Sequence, residues 1–312
     1  MIISASRRTD IPTYYSDWFF NRLREGYVLV RNPLNAHQVS RVGLLPDVVD
    51  GFVFWTKNPL PMLPKLAQLR DYTYYFQFTL NAYDQDVETG VPSKSKYIIP
   101  AFQRLSDSIG PERVIWRYDP IMLNSKYTME YHLEHFAEFA KLLAPYTKQC
   151  TISFLDLYVK TERNTAALKI QPWSRELQEK MAAGLAEIAH SYNLQLATCA
   201  EGIDLAKYDI KHAHCIDAEL FSSLLECRLK AGKDKNQREE CGCVESIDIG
   251  AYNTCRNGCL YCYANFNKSM VEVNRNLHDP QSPLLLGKPL PGDKITERKM
   301  HSCVERQMNL GF

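Results

Sequence analysis

Short β-rich runs recur along the chain with helical stretches between them, and this alternation narrows the fold more than any other feature of the sequence. The runs are Ile2 to Ala5, Tyr27 to Val30, Phe52 to Trp55, Tyr74 to Thr79, Val114 to Arg117, Thr151 to Leu155, Leu194 to Thr198 and Val244 to Ile249. Between them, Met129, Leu133, Phe136, Ala140 and Leu143 recur at helical period, as do Leu177, Met181, Leu185 and Ile188, with Thr128 and Ser174 placed as N-caps. Strands joined through helices pair in parallel. The expectation is an α/β protein built as a full or partial (β/α) barrel, with a doubly wound open sheet as the alternative.

The 312 residues suit one barrel domain over 1–275 and a Pro- and Gly-rich tail over 276–312 packed on its surface. The polar run LKAGKDKNQREE, Leu229 to Glu240, reads as a solvated loop leaving the main body. Lys and Arg number 37 against 36 Asp and Glu, so no global field draws in nucleic acid or an anionic membrane. No apolar run reaches the roughly 20 residues that span a bilayer, and the N-terminus carries no signal-peptide pattern. The chain reads as cytoplasmic.

Ten cysteines in a reducing compartment are buried thiols, metal ligands or redox groups rather than disulfides. None falls in the first 149 residues, whereas nine lie from Cys199 to Cys303 and seven of those from Cys215 to Cys262. Such crowding is not core usage. In NTCRNGCLYCY, Asn253 to Tyr263, Cys255, Cys259 and Cys262 are spaced by three residues and then two. Three thiolates so placed can cap three irons of a cubane and leave the fourth open to a cofactor. Gly258 lets the backbone turn tightly, and Tyr261 and Tyr263 are placed to shield the cluster. A structural zinc site is the alternative; it needs a fourth ligand, which Cys241 or Cys243 can supply.

CRNGCLYC resembles the signature of the radical S-adenosylmethionine superfamily, with an aromatic before its third cysteine. The chain from SASRRTDIP through FVFWTKNP, WRYDP and KDKNQREECGCVESIDIGAYNTC to CYAN resembles the domain of unknown function family 1848, which is noted for such a C-terminal cluster. In the superfamily the motif ordinarily follows the first barrel strand. Here it begins at Cys255, as a circular permutation would place it. The resemblance implies an enzyme in which a [4Fe-4S] cluster reductively cleaves S-adenosyl-L-methionine, giving a deoxyadenosyl radical that abstracts hydrogen from a substrate. A reductant such as flavodoxin or ferredoxin is the implied partner.

Cys199, Cys215, Cys241 and Cys243 are a candidate second set, suited to a second iron-sulfur cluster or to a four-cysteine zinc site. Cys150, Cys227 and Cys303 read as structural thiols. Several strands end in polar groups that a barrel would gather at one mouth, among them Lys57, Asn81, Asp119 and Tyr158. Arg7, Asn58, Gln77, Arg117, Asp156 and Glu201 are the residues expected to hold the cofactor. His132 and His135 read as helix surface. The rival functions are a zinc-stabilised interaction module and an iron-sulfur electron carrier. If the barrel reading holds, Val244 to Ile249 must lie parallel to Ile2 to Ala5, although the two are far apart in sequence.

Overall fold

The computed structural model describes residues 1–156 and 159–305, the side chains of 159 and 160 excepted. Its strands are β1 (Ile2–Ala5), β2 (Tyr27–Asn32), β3 (Asn35–Gly43), β4 (Gly51–Thr56), β5 (Tyr74–Thr79), β6 (Val114–Ile121), β7 (Gln149–Phe154), β8 (Gln195–Cys199), β9 (Lys211–Ala213), β10 (Ser246–Asp248) and β11 (Lys294–Glu297). The helices are α1 (Ile11–Tyr14), α2 (Ser16–Glu25), α3 (Ile99–Ile109), α4 (Met129–Leu143), α5 (Val159–Thr165), α6 (Arg175–Ser191), α7 (Ala218–Leu225) and α8 (Lys268–Leu277). Thr128 and Ser174 cap α4 and α6 by accepting from the Tyr131 and Leu177 N–H groups, as their positions predicted.

Eight strands form one all-parallel sheet in the order β10-β1-β4-β5-β6-β7-β8-β9, the arrangement of a partial barrel with β9 and β10 at its edges. The expected pairing is observed: β10 runs parallel to β1, with Ile2 opposite Ser246, Ile3 opposite Ile247 and Ser4 opposite Asp248. The run Tyr27 to Val30 is not a barrel strand. A two-residue turn at Pro33 and Leu34 sends β2 back as β3, so the pair is antiparallel and joins β11 in a separate three-stranded sheet.

Because side chains alternate along a strand, each central strand serves two cores. Phe52, Phe54, Phe76 and Trp116 pack with Phe19, Phe102, Phe136 and Met181 from the helical layer. Ile2, Val53, Tyr75 and Ile115 point the other way and meet Ile216, Phe221, Val244 and three of the cysteines. The segment 214–244, which includes α7, is thus a plug against the inner face of the sheet. Gly51 permits its close approach, for a Cβ there would stand 2.2 Å from Phe221 Cε1.

The polar run 229–240 does not leave the body. Its outer side is wet, but Asp234 is buried and its N–H donates to the Cys243 carbonyl at 2.9 Å, while Arg238 reaches Asp156 at 2.6 Å. The chain beyond α8 runs over the surface, with β11 parallel to β3. No helix among the described residues is long and apolar enough to cross a membrane.

Candidate functional site

The loop that leaves the C-terminal end of β10 carries Cys255, Cys259 and Cys262, and asparagines fold it on itself. The Asn253 N–H donates to the Ala264 carbonyl at 2.9 Å, and Asn265 Oδ1 accepts from the Thr254 and Cys255 N–H groups at 2.7 and 2.8 Å. Gly258 turns the chain in the left-handed region at φ 64°, where a Cβ would also strike Thr89 Oγ1. A second loop, residues 84–91, clasps the first: Leu260 N–H donates to Val87 O at 3.0 Å and Gly90 N–H to Asn257 O at 2.9 Å.

Buried charge backs this contact. Lys57 Nζ lies 2.8 Å from Glu88 Oε1, Lys94 Nζ lies 3.1 Å from Glu88 Oε2, and the Tyr261 hydroxyl donates to Glu88. Burial alone would raise the Glu88 carboxyl, but Lys57 and Lys94 outweigh it and hold it below the usual range. Burial pushes the Cys255 thiol well up and the Cys259 thiol to about 12, with Lys57 pulling Cys259 the other way. Asp10 joins loop and barrel, accepting from Lys57 N–H at 2.8 Å and Asn257 Nδ2 at 3.1 Å. The three thiols feel one another electrostatically, but none hydrogen-bonds another. As the side chains stand, no three His, Cys, Asp or Glu groups among the described residues converge on a single metal position.

The second cysteine set is brought together. Cys199 closes β8, Cys215 follows β9, and Cys241 and Cys243 lie in the plug. Cys199 Sγ is 3.0 Å from Cys215 Sγ, and Cys243 lies beside both Cys215 and Cys241. Arg117 Nη1 donates to Cys215 Sγ at 2.9 Å, Ile216 N–H to Cys243 Sγ at 3.4 Å, and the Arg7 guanidinium also bonds Cys243. Hydrogen bonds from Cys199 and Cys243, reinforced by Arg117 and Arg7, hold Cys215 well below the usual thiol range. Cys199 and Cys243 are raised as its donors, and the Cys243 thiol brings Cys241 down to about 6.

Three of the six expected cofactor residues are engaged with this second set. Arg7 and Arg117 contact its sulfurs, and Gln77 Nε2 donates to the Cys215 carbonyl at 3.0 Å. Asp156 pairs with Arg238, and Asn58 Oδ1 accepts from the Leu60 N–H at 3.2 Å. Glu201 accepts from the Phe154 N–H at 2.8 Å, and burial raises its carboxyl to about 7. Tyr158 lies outside the described residues. Tyr263 shields little, being 48% exposed; its ring lies outside the loop with the hydroxyl on the Arg7 carbonyl. His132 is not on the surface but 1% exposed beneath α4. Glu88 and Lys94 escaped sequence reasoning because they come from polar stretches with no period, and only the tertiary fold sets them beside Lys57. Two shallow cavities, of about 300 and 250 Å³, open away from the cysteines, one beside His190 and Lys211 and one beside Thr128 and Gln171.

A solved structure from Bacteroides thetaiotaomicron VPI-5482, of a protein provisionally designated an alpha-L-fucosidase, is 12% identical over 74% of this chain and 86% of that one. Its TM-score of 0.24 is too low to speak for fold or function. No curated protein matches the chain. The family model of a domain of unknown function, DUF1848, matches residues 2–264, most of the chain, and the chain belongs to that family.

Proposed function

We propose that this member of the DUF1848 family is an iron-sulfur enzyme of the radical S-adenosylmethionine type, with Cys255, Cys259 and Cys262 as ligands of a [4Fe-4S] cluster. The observation that carries the reading is the setting of these thiols, on a buried loop at the C-terminal end of a strand parallel to β1. Active-site groups of α/β barrels sit at that end. When bound, the cluster supplies one-electron reductive cleavage of S-adenosylmethionine for hydrogen abstraction from an organic substrate. A sheet whose last large-sheet strand lies against its first also suits a circularly permuted barrel.

The chain's own groups do the positioning. Lys57 brings positive charge toward Cys259 and so favours its thiolate, and Asn265 Nδ2 approaches Cys262 Sγ at 3.6 Å. The 84–91 clasp and Tyr261 keep water from the loop, which a radical site requires. Asn81 Oδ1 is buried without a hydrogen bond while its Nδ2 meets Tyr261, and so it is an acceptor left open on the wall of the site for the amine of a cofactor. Asn58, Asp156 and Glu201 stand at strand ends as further cofactor contacts. Arg7, Gln77 and Arg117 would act through the second cysteine set. A flavodoxin or ferredoxin would supply the electron.

Protein purified without oxygen is expected to carry about four irons on this loop and to absorb broadly in the visible. Reduction with S-adenosylmethionine present should yield deoxyadenosine. Replacing Cys255, Cys259 and Cys262 together with Ala should remove those irons and that product. Iron retained in full by the triple variant, or no deoxyadenosine from a reduced cluster, sinks the reading.

A further inference from the structure

We propose that Cys199, Cys215, Cys241 and Cys243 form a closed site for one tetrahedral divalent cation of the zinc class, which locks the 214–244 plug to the barrel wall. The proposal goes beyond the radical chemistry and stands independently of it. Its first ground is the contrast between the two cysteine sets of one molecule. No hydrogen bond joins the sulfurs of Cys255, Cys259 and Cys262, which influence one another only through charge. The second set is drawn together, with Cys199 Sγ 3.0 Å from Cys215 Sγ and Cys243 beside both Cys215 and Cys241. Tetrahedral zinc with bonds of about 2.3 Å holds its sulfurs about 3.8 Å apart, so Cys199 and Cys215 need part by less than about 1 Å to share one ion, while Cys241 and Cys243 turn in to complete the tetrahedron.

Charge supplies the second ground. Four thiolates around a divalent ion carry a net charge of about −2, and two guanidiniums meet this group. Asp119 takes Nε and Nη2 of Arg117 at 2.9 and 2.6 Å, which leaves Nη1 to face Cys215 Sγ and Gln77. Arg7 lies beside Cys243 and keeps Nη2 buried without a hydrogen-bond partner. A guanidinium can only donate, so both are suited to an anionic centre rather than to neutral thiols. The Ile216 N–H, 3.4 Å from Cys243 Sγ, adds a backbone donor of the same sense.

The third ground is placement. One ligand ends β8, one follows β9, and two flank Gly242 in the returning segment, so the site spans the gap where the sheet fails to close between β9 and β10. The returning segment passes close to His214, whose Cδ2 would lie 2.3 Å from a Cβ at 242. Loading exchanges thiol protons for four metal–sulfur bonds, and no electron moves.

Full-length protein purified without oxygen, and the same chain carrying Cys255→Ala, Cys259→Ala and Cys262→Ala, are each assayed for zinc and iron and then titrated with cobalt(II) after chelation. One zinc per chain in both, with the tetrathiolate charge-transfer and ligand-field bands of cobalt on titration, is the expected result. Cys215→Ser with Cys243→Ser should lose the zinc and the bands. Should that variant not fold, the cobalt titration of the triple variant, which keeps all four thiols, decides the matter alone. Iron rather than zinc left in the triple variant would show a second cluster and overturn the proposal. So would a Cys199–Cys215 disulfide, or free thiols that take up no cobalt. Parent protein that carries zinc but yields no deoxyadenosine on reduction would instead count against the radical reading only.

Discussion

His132 donates from Nε2 to the Met122 carbonyl at 2.9 Å and accepts at Nδ1 from the Tyr118 hydroxyl at 2.8 Å, so the neutral ring has both nitrogens satisfied. Burial lowers its pKa from 6.5 to about 4. Both states are neutral above pH 6.5, and between there and about 4 only the unfolded chain takes up the proton. Stability from this group is therefore complete above about 6.5 and falls by roughly 3 kcal/mol as the pH drops toward 4. Urea denaturation of His132→Asn should show an acid loss smaller by that amount over the same window. Parallel curves for variant and parent would refute the assignment. Sequence reasoning put this residue on the surface because it took Met129, Leu133 and Phe136 as the buried stripe. In the structure Leu133 is only partly buried and the face through Met129, His132, Phe136 and Phe139 is the one covered. Period locates a helix better than it locates the edge of its buried face.

At the scale of an element, the cysteine loop depends on a neighbour that has no secondary structure of its own. Gly90 is exposed, and exposed positions usually tolerate alanine. A Cβ at Gly90, however, would sit 2.2 Å from the Arg256 carbonyl oxygen, and a backbone atom cannot swing aside. Gly90→Ala should part the 84–91 clasp from the cysteine loop and weaken the packing of Glu88 and Tyr261, at about 1–3 kcal/mol. Faster alkylation of Cys259 in metal-free protein is the measurement; an unchanged rate would show that the clasp is not what protects it. The motif itself was legible from spacing alone, since Cys255, Cys259 and Cys262 lie within one turn of chain. The clasp was not legible, because what joins Val87 and Gly90 to the loop is backbone hydrogen bonding, and that leaves no mark on residue type.

Over the whole molecule, what was foreseeable followed from chain direction. A βα unit returns in parallel, and that rule, taken with the permutation implied by the place of the cysteine motif, set β10 beside β1 across more than 240 residues. The plug was hidden because its polar run, read as a departing loop, is polar only on its outer side. The tail runs over the surface as read, and together with the segment just before it braces both the cysteine loop and α2. Asn265 and Asn274 hold the cysteine loop through Thr254, Cys255 and Asn253, while the Ser282 carbonyl takes Trp18 Nε1 at 3.0 Å and Pro280 takes Asn21 Nδ2 at 2.8 Å. Two truncations separate these roles. A chain stopped after Leu277 keeps Asn265 and Asn274 but frees Trp18, now fully buried; its tryptophan emission should shift to the red while Cys255 stays protected. A chain stopped after Ala264 loses both supports. With hydrogen bonds contributing about 1 kcal/mol each, its Cys255 and Cys262 should alkylate at least roughly tenfold faster in the metal-free state. Equal rates in the two truncated chains would mean that the loop holds its shape without the asparagines, and that α8 only packs beside it.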